Sequence, residues 1–551
     1  MKRDPRTLAE ALWDVLVVGG GIHGACVAWE AVLRGLTVCL VDKADFASAT
    51  SANTMKIIHG GLRYLQHADY RRMRESLRER RTLLRIAPHL VRPLPIVVPT
   101  YGHGAHGPQV LRAGLALNDL AGLDRNAGLA ATQRIPRGRI IAPGECLRLV
   151  PGLDATDVTG GAVFYDAQVE NSERLLLAFL RSAAQAGAEL ANYVEVTGFD
   201  QSPNGLIRVL LTDRLTDERH VARARVVVNA GGPWADRVLG LASPRAQLGL
   251  SFAKAFNVVT SPRFPTCAVA LPTRRGSRDR DAAVGRDIRR LFVVPWREQW
   301  LVGTWYQSHS GSPGDLRITE VDIAALLQAA NRACPALALT LDDVRLVHGG
   351  LLPAVPADGV SDPHLTRCGR IVDHARDGLP GFFSVVGVKY TTARLMAERT
   401  VDRLLERLGR RGPPSTSALV PLHGSDTATS AVTTGDATLW RCSLGGREPL
   451  ARLRRNYGSA YGEVLAHLDT AEGPGDPAAV LRAEVRHAIR AEMAQSLTDV
   501  VFRRTELGAV GNPGPERLAT AASTAAAELE WSADRQRDEL RAVYARFGVP
   551  R

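Results

Sequence analysis

The sequence predicts an α/β fold built on a parallel, nucleotide-binding sheet, and three observations carry that prediction. A β-branched apolar run at residues 14–18, DVLVV, leads into Gly19, Gly21 and Gly24 at G-x-G-x-x-G spacing. An alanine-rich stretch over 22–33 follows, closed by Gly35, and a second apolar run, LTVCLVD, ends in Asp42. The chain is also far longer than one crossover unit needs, since its 551 residues leave room for inserted strands and a further domain.

Each element has a physical reason. A strand buried on both faces favours a continuous apolar run such as 14–18 over alternation. The first glycine permits a tight turn, the second lets the backbone approach a pyrophosphate, and the third lets helix pack on strand. A helix over 22–33 presents unsatisfied N–H groups and partial positive charge at its start, and Gly35 suits the left-handed position after its end. Asp42 stands where a ribose hydroxyl needs an acceptor. Dinucleotide binding through Gly19, Gly21, Gly24 and Asp42 is therefore expected. The spacing alone does not separate NAD from FAD. The next segment, DKADFASATSANTMKIIHGGLRYLQ (42–66), favours FAD, because small polar side chains and glycines let a backbone lie along a long cofactor.

The run GGGIHGACVAWEAVLRGLTVCLVDKADFASATSANTMKIIHGGLRYLQ resembles the N-terminus of the FAD-dependent glycerol-3-phosphate dehydrogenases, part of an amine-oxidase-like group of FAD-dependent oxidoreductases. SANTMKIIHGGLRYL is its most specific part, and ERRTLLRIAPHLVRPLPIVVP (79–99) extends it. Later blocks continue it: ARVVVNAGGPWAD (224–236), RLFVVPWREQWLVGTW (290–305), FFSVVGVKYTTARLMAE (382–398) and AEVRHAIRAEMAQSLTDVVFRRTELG (483–508). The resemblance implies a glutathione-reductase-type FAD-binding fold in pieces at about 10–90, 155–240 and 345–410. An inserted mixed-sheet substrate domain would occupy about 91–154 and 241–344, a Pro-, Gly- and Ser/Thr-rich linker 411–438, and a helical domain 439–551.

The same resemblance implies site residues. FAD contacts are expected from Thr50, Ser51, Lys56, His59, Gly60, Gly61, Leu62, Ala230, Gly231, Gly387, Lys389, Tyr390 and Thr391. Catalytic cations are expected at Arg63, Arg367 and Lys389, with Lys254 and Asn257 also on the substrate side. The implied reaction oxidises glycerol 3-phosphate to dihydroxyacetone phosphate. A base takes the hydroxyl proton, a hydride passes to flavin N5, and the electrons go on to a quinone or other acceptor. Arginine suits the substrate phosphate because its planar fork binds two oxygens at once.

Three departures fall where substrate would sit. FAKAFNVV carries Asn257 where the family has a histidine, and an amide is no base near neutral pH. HGGLLPAV carries Leu352 where the family has a phosphate-holding arginine, and Gly303-Thr304-Trp305-Tyr306 replaces a G-T-T-D run. His348 offers a replacement base. Other readings stay open: a same-fold dehydrogenase or oxidase for a different hydroxy acid, polyol or amine, and a catalytically silent flavoprotein. An NAD-dependent dehydrogenase is opposed by the second glycine turn and the Lys389 segment.

Composition bears on partners. The chain has 69 Lys and Arg against 57 Asp and Glu, a formal net charge of +12 that favours phosphorylated metabolites or anionic headgroups. Arg71, Arg72, Arg74, Arg78, Arg80, Arg81 and Arg85 crowd one predicted helix, read either as a membrane-facing patch or as a solvated face balanced by Glu75 and Glu79. No recognition motif accompanies the charge, so nucleic-acid binding is not expected. The 7 cysteines form no C-x-x-C pair or metal-ligand spacing; no metal site is expected, and a reducing compartment is. No apolar run nears the roughly 18 residues of a spanning helix, and the N-terminus carries acids and a proline before any apolar run. The expectation is a cytoplasmic enzyme, with peripheral contact at the cytoplasmic face of the inner membrane and homodimerisation left open.

Overall fold

A computed structural model describes residues 1–102, 107–201, 205–262, 267–273, 289–355, 363–425, 447–469, 476 and 478–549. Part of the expected loop at 101–109, the polar connection at 274–287, the linker from 426 onward and Cys442 lie outside the described residues.

Two sheets organise the chain. The first runs Arg370–Asp373, Phe382–Val386, Arg219–Asn229, Leu12–Val18, Val38–Val41 and Glu189–Ala191. From Phe382–Val386 to Glu189–Ala191 every pairing is parallel. Leu12–Val18 is buried from Trp13 onward. The crossover helix Ile22–Leu33 packs against Ser172–Gln185 and Ala393–Leu408, and its burial on nearly every side explains why it is apolar all round. Two glycines permit this packing. A side chain on Gly24 would collide with the carbonyl oxygen of Gly19, and a Cβ on Gly19, at φ +109°, would stand 2.6 Å from the Ala230 oxygen.

The second sheet runs His364–Leu365, Val344–Val355, Ser251–Thr260, Gln299–His309, Arg289–Trp296, Ala268–Thr273, Val91–Tyr101, Val158–Val169 and Ile57–Ile58. It is mixed, as expected: Ala268–Thr273 pairs parallel with Val91–Tyr101 within an otherwise antiparallel arrangement. Two long strands, with the short Ile57–Ile58 and His364–Leu365, correct the expected boundaries. Val158–Val169 and Val344–Val355, expected in the nucleotide-binding pieces, pair along nearly their whole length with Val91–Tyr101 and Ser251–Thr260. Long antiparallel registers decide their membership, not nearness to a motif.

The described C-terminal part is helical, with Arg447–Tyr457, Tyr461–Leu465, Ala479–Arg490, Pro515–Leu529 and Ala533–Tyr544. Val485, Leu497, Val500 and Leu518 belong to an apolar cluster of its own. Buried charge fastens it to the first sheet. Asp45 accepts from Arg503 Nε at 2.5 Å, from Arg504 at 2.6 and 2.8 Å, and from Asn192 at 2.9 Å. Burial alone would raise the Asp45 carboxyl, but the Arg504 and Arg503 guanidiniums hold it at about 2. Arg174 and Glu492 form a second buried pair at 2.6 Å.

The basic helix, Tyr70–Ile86, is largely ion-paired within the fold. Arg80 is buried on Asp166 at 2.7 Å, Arg74 and Arg81 converge on Asp124, and Arg85 donates to the Ala127 carbonyl at 2.7 Å. Of the two expected balancing acids, Glu75 pairs with Arg71 of the helix at 3.4 Å and with Arg399 at 2.5 Å, whereas Glu79 turns to Arg394 at 2.6 Å. These pairs favour the balanced reading over a bare cationic face. No helix among the described residues is long and apolar enough to cross a membrane.

Asp45→Ala leaves two buried guanidiniums without their shared carboxylate. The expected loss of unfolding free energy is about 3–5 kcal/mol, read by denaturant titration. A loss below ~1 kcal/mol, the scale of a surface pair, would contradict the interlock.

Candidate active site

Residues from both sheets line one cavity of about 3030 Å³, several times the ~300–1,000 Å³ of a drug-sized site. That volume suits a long cofactor with a smaller molecule beside it. Gly19, Gly21 and Asp42 form part of the wall, where the helix Ile22–Leu33 begins. Asp42 accepts from the Gly20 N–H at 2.6 Å and the Ala44 N–H at 2.9 Å, and burial raises its carboxyl to about 6. Lys43 lies 4.2 Å over the Trp234 ring, and both reach the wall.

The segment after Asp42 then runs along the cavity, as its composition predicts. The Ser51 hydroxyl accepts from the Ile22 N–H at 3.0 Å, fastening the segment to the helix start. Thr50 bridges to the second sheet, donating to the Leu351 carbonyl at 3.2 Å and accepting its N–H at 3.3 Å. Ala230 and Gly231, on the turn after Arg219–Asn229, complete this part of the wall.

A second cluster gathers His59, Gly61, Leu62, Tyr64, Arg367, Gly387, Lys389, Tyr390 and Thr391 on the wall. The His59 N–H donates to Thr391 Oγ1 at 3.3 Å, and burial lowers the His59 imidazole to about 4. Lys389 Nζ donates to the Tyr64 hydroxyl and, at 3.4 Å, to the Arg367 carbonyl, which Arg72 also reaches at 3.1 Å. Lys389 stands 4.2 Å over the Tyr64 ring. Burial, then the Arg72 charge, lowers its ammonium to about 8.

The substrate-side positions divide. Asn257 reaches the wall where Ser251–Thr260 and Gln299–His309 shift register around Thr304, and Leu352, Thr304, Trp305 and Tyr306 line it too. His348 does not. It is buried behind Asn257, its Nδ1 donating to the Asn257 Oδ1 at 3.1 Å, and burial keeps it well below its usual pKa. The expected replacement base is therefore a neutral support for the amide. Lys254 is likewise off the wall, held by Asp322 at 2.6 Å at the start of the helix Glu320–Ala333. Lys56 is buried on Glu173 at 2.8 Å and Ser172 at 2.7 Å, so its charge serves packing. Gly60 donates to Asp166 at 2.5 Å, and a side chain there would collide with Arg80; its role is close packing. Arg63 lies on the short helix Leu62–His67, with its side chain outside the described part.

Sequence reasoning missed His23, Lys43, Tyr64, Arg72 and Trp234, all on the wall. His23 packs so closely on Gly387 that a Cβ there would collide with its ring, and burial lowers it to about 4. His23, Tyr64 and Trp234 sat inside motifs already singled out, in GGGIHG, GGLRYL and NAGGPW. Weighing only glycines and cations passed over them.

The glycine turn that side chains would fill, with Asp42 beside it, defines a dinucleotide-dependent oxidoreductase of α/β type. The family model described as FAD dependent oxidoreductase matches residues 14–403, and the chain belongs to that family. A second model, the C-terminal domain of alpha-glycerophosphate oxidase, matches residues 415–536. The chain is 34% identical to the glycerol-3-phosphate dehydrogenase of Synechocystis sp., over 91% of its own length and 90% of that relative. It is 31% identical to the glycerol-3-phosphate dehydrogenase of Mycobacterium leprae, over 89% of its length and 80% of the relative. In structure it is similar to the glycerol-3-phosphate dehydrogenase from Bacillus halodurans complexed with FAD, at TM-score 0.77 and 26% identity, covering 99% of this chain and 97% of that one. FAD is thus the cofactor that the cavity residues fit.

Protonating Asp42 removes an acceptor. FAD binding is expected to weaken as pH falls through about 6, and Asp42→Ala to weaken it roughly tenfold or more at pH 7.5 or so, by loss of a charge-assisted hydrogen bond. Flavin fluorescence titration reads both effects; pH-independent affinity in the parent chain would contradict the assignment.

Proposed function

We propose that this chain oxidises the secondary alcohol of glycerol 3-phosphate to the ketone, with FAD as the immediate electron acceptor and a quinone or other acceptor taking the electrons onward. The observation that carries the reading is Lys389, an amine lowered to about 8 on the cavity wall between the Tyr64 hydroxyl and the Arg367 carbonyl. When bound, FAD supplies the two-electron, hydride-accepting chemistry. The remaining steps belong to side chains. Neutral Lys389 Nζ takes the hydroxyl proton, with Tyr64 and the Arg367 carbonyl fixing its direction. Arg367 and Arg72, both on the wall, supply positive charge for an anionic substrate. Asn257, steadied by neutral His348, offers a hydrogen bond without competing for the proton. The 30–34% identity to named glycerol-3-phosphate dehydrogenases over most of the chain supports the substrate.

One observation favours a second reading. Leu352 presents an apolar side chain on the wall, which suits a less anionic hydroxy compound handled by the same chemistry.

Two measurements separate these. Anaerobic glycerol 3-phosphate is expected to bleach the flavin absorbance of the purified holoenzyme; an unchanged spectrum, with bleaching by another hydroxy compound, would overturn the first reading. The sign of the pH dependence follows from the base: the competent form is the neutral amine, so kcat/KM should rise as pH climbs through about 8 and level above it. Lys389→Met should lose that inflection and at least ~100-fold in kcat, the usual contribution of a positioned base. A retained inflection would exclude Lys389 as its source.

A further inference from the structure

Arg546 lies just beyond the last helix, Ala533–Tyr544, yet its side chain lines the cavity. Its backbone is held there. Phe547 bridges antiparallel to Leu346, and the Gly548 N–H donates to the Arg345 carbonyl at 2.9 Å. This register sets Arg546 beside Val347, on the strand that also brings Gly350 and Leu352 to the wall. The guanidinium stands 4.6 Å over the Phe502 ring.

Its neighbours show what it lacks. Arg503 and Arg504 share Asp45, Lys56 has Glu173 at 2.8 Å, and Arg297 has Glu506 at 2.7 Å. Among the described residues no carboxylate lies within ion-pair distance of Arg546, and its side chain makes no hydrogen bond. Arg546 is exposed; desolvation and then the Arg503 charge lower its pKa, against Glu173 and Asp499, which act from beyond ion-pair distance. A planar fork open to a cavity has the geometry for phosphate oxygens.

We propose that Arg546 is a phosphate-binding residue of this cavity, brought in by the C-terminal tail. The phosphate is either the substrate monoester or the pyrophosphate of the dinucleotide. The inference rests on the reading of the cavity as an FAD site beside a phosphorylated substrate.

The test uses the full chain with Arg546→Met, which keeps the stem over Phe502 and removes the charge; Arg546→Gln serves the same purpose should the first variant not fold. Three quantities are compared with the parent: FAD retained per chain after gel filtration in phosphate-free buffer, KM for glycerol 3-phosphate, and the calorimetric Kd of the oxidised protein for inorganic phosphate. Loss of one charge-assisted contact should cost about tenfold or more. A raised KM and phosphate Kd with normal flavin content identifies the substrate monoester. Reduced flavin retention with normal KM identifies the pyrophosphate. Parent values in all three overturn the proposal. If the parent chain takes up no FAD, the preceding function fails first, and the phosphate Kd of parent against variant still decides whether Arg546 binds the anion.

Discussion

The close contact between two backbone turns is the constraint on which the site depends. Gly24 presses on the carbonyl of Gly19, and Gly19 in turn on Ala230, with no space for a side chain at either glycine. Parallel strands cannot bring their following turns this close if any Cβ intervenes, so the sequence is forced to glycine where the fold needs contact. The consequence is chemical. The start of Ile22–Leu33, the Asp42 carboxylate and the Ala230–Gly231 turn all reach one wall, an arrangement of backbone donors and an acidic acceptor that suits a dinucleotide.

A second constraint is the buried charge that joins the C-terminal helices to this region. Asp45 follows Asp42 by one short step and belongs to the segment that runs along the cavity, yet its oxygens are taken by Arg503 and Arg504. The helical part therefore holds the wall from behind, and its tail supplies a cavity residue in front. Organisation of the site is a property of the whole chain rather than of residues 14–403 alone.

Local signals were the legible ones. The glycine spacing, the left-handed Gly35 and the apolar runs set the crossover, and the helix expected over 22–33 is Ile22–Leu33. The block 290–305, carried by resemblance alone, forms the hairpin of Arg289–Trp296 and Gln299–His309. Long-range partners were not legible. Glu173, which claims Lys56, is 117 residues away, and Asp322, which claims Lys254, is 68 away. Nothing in the spacing of either lysine announces a carboxylate at that distance. His348 was misplaced for a related reason: its register partner Asn257 reaches the wall while His348 does not, so strand pairing and alternation alone do not say which side chain meets the cavity. Arg546 carried no motif at all; only the pairing of the tail with Leu346 brings it to the wall.

The central claim is that FAD lies in this cavity with its nucleotide portion at the first crossover and its reactive ring beside Lys389. An experimental structure of the FAD-loaded chain tests it most directly. The account predicts one FAD per chain, a ribose hydroxyl on Asp42 and the isoalloxazine ring against the Lys389–Tyr64 cluster. Density for FAD in the reverse orientation, or ring and nucleotide both away from these residues, would contradict it.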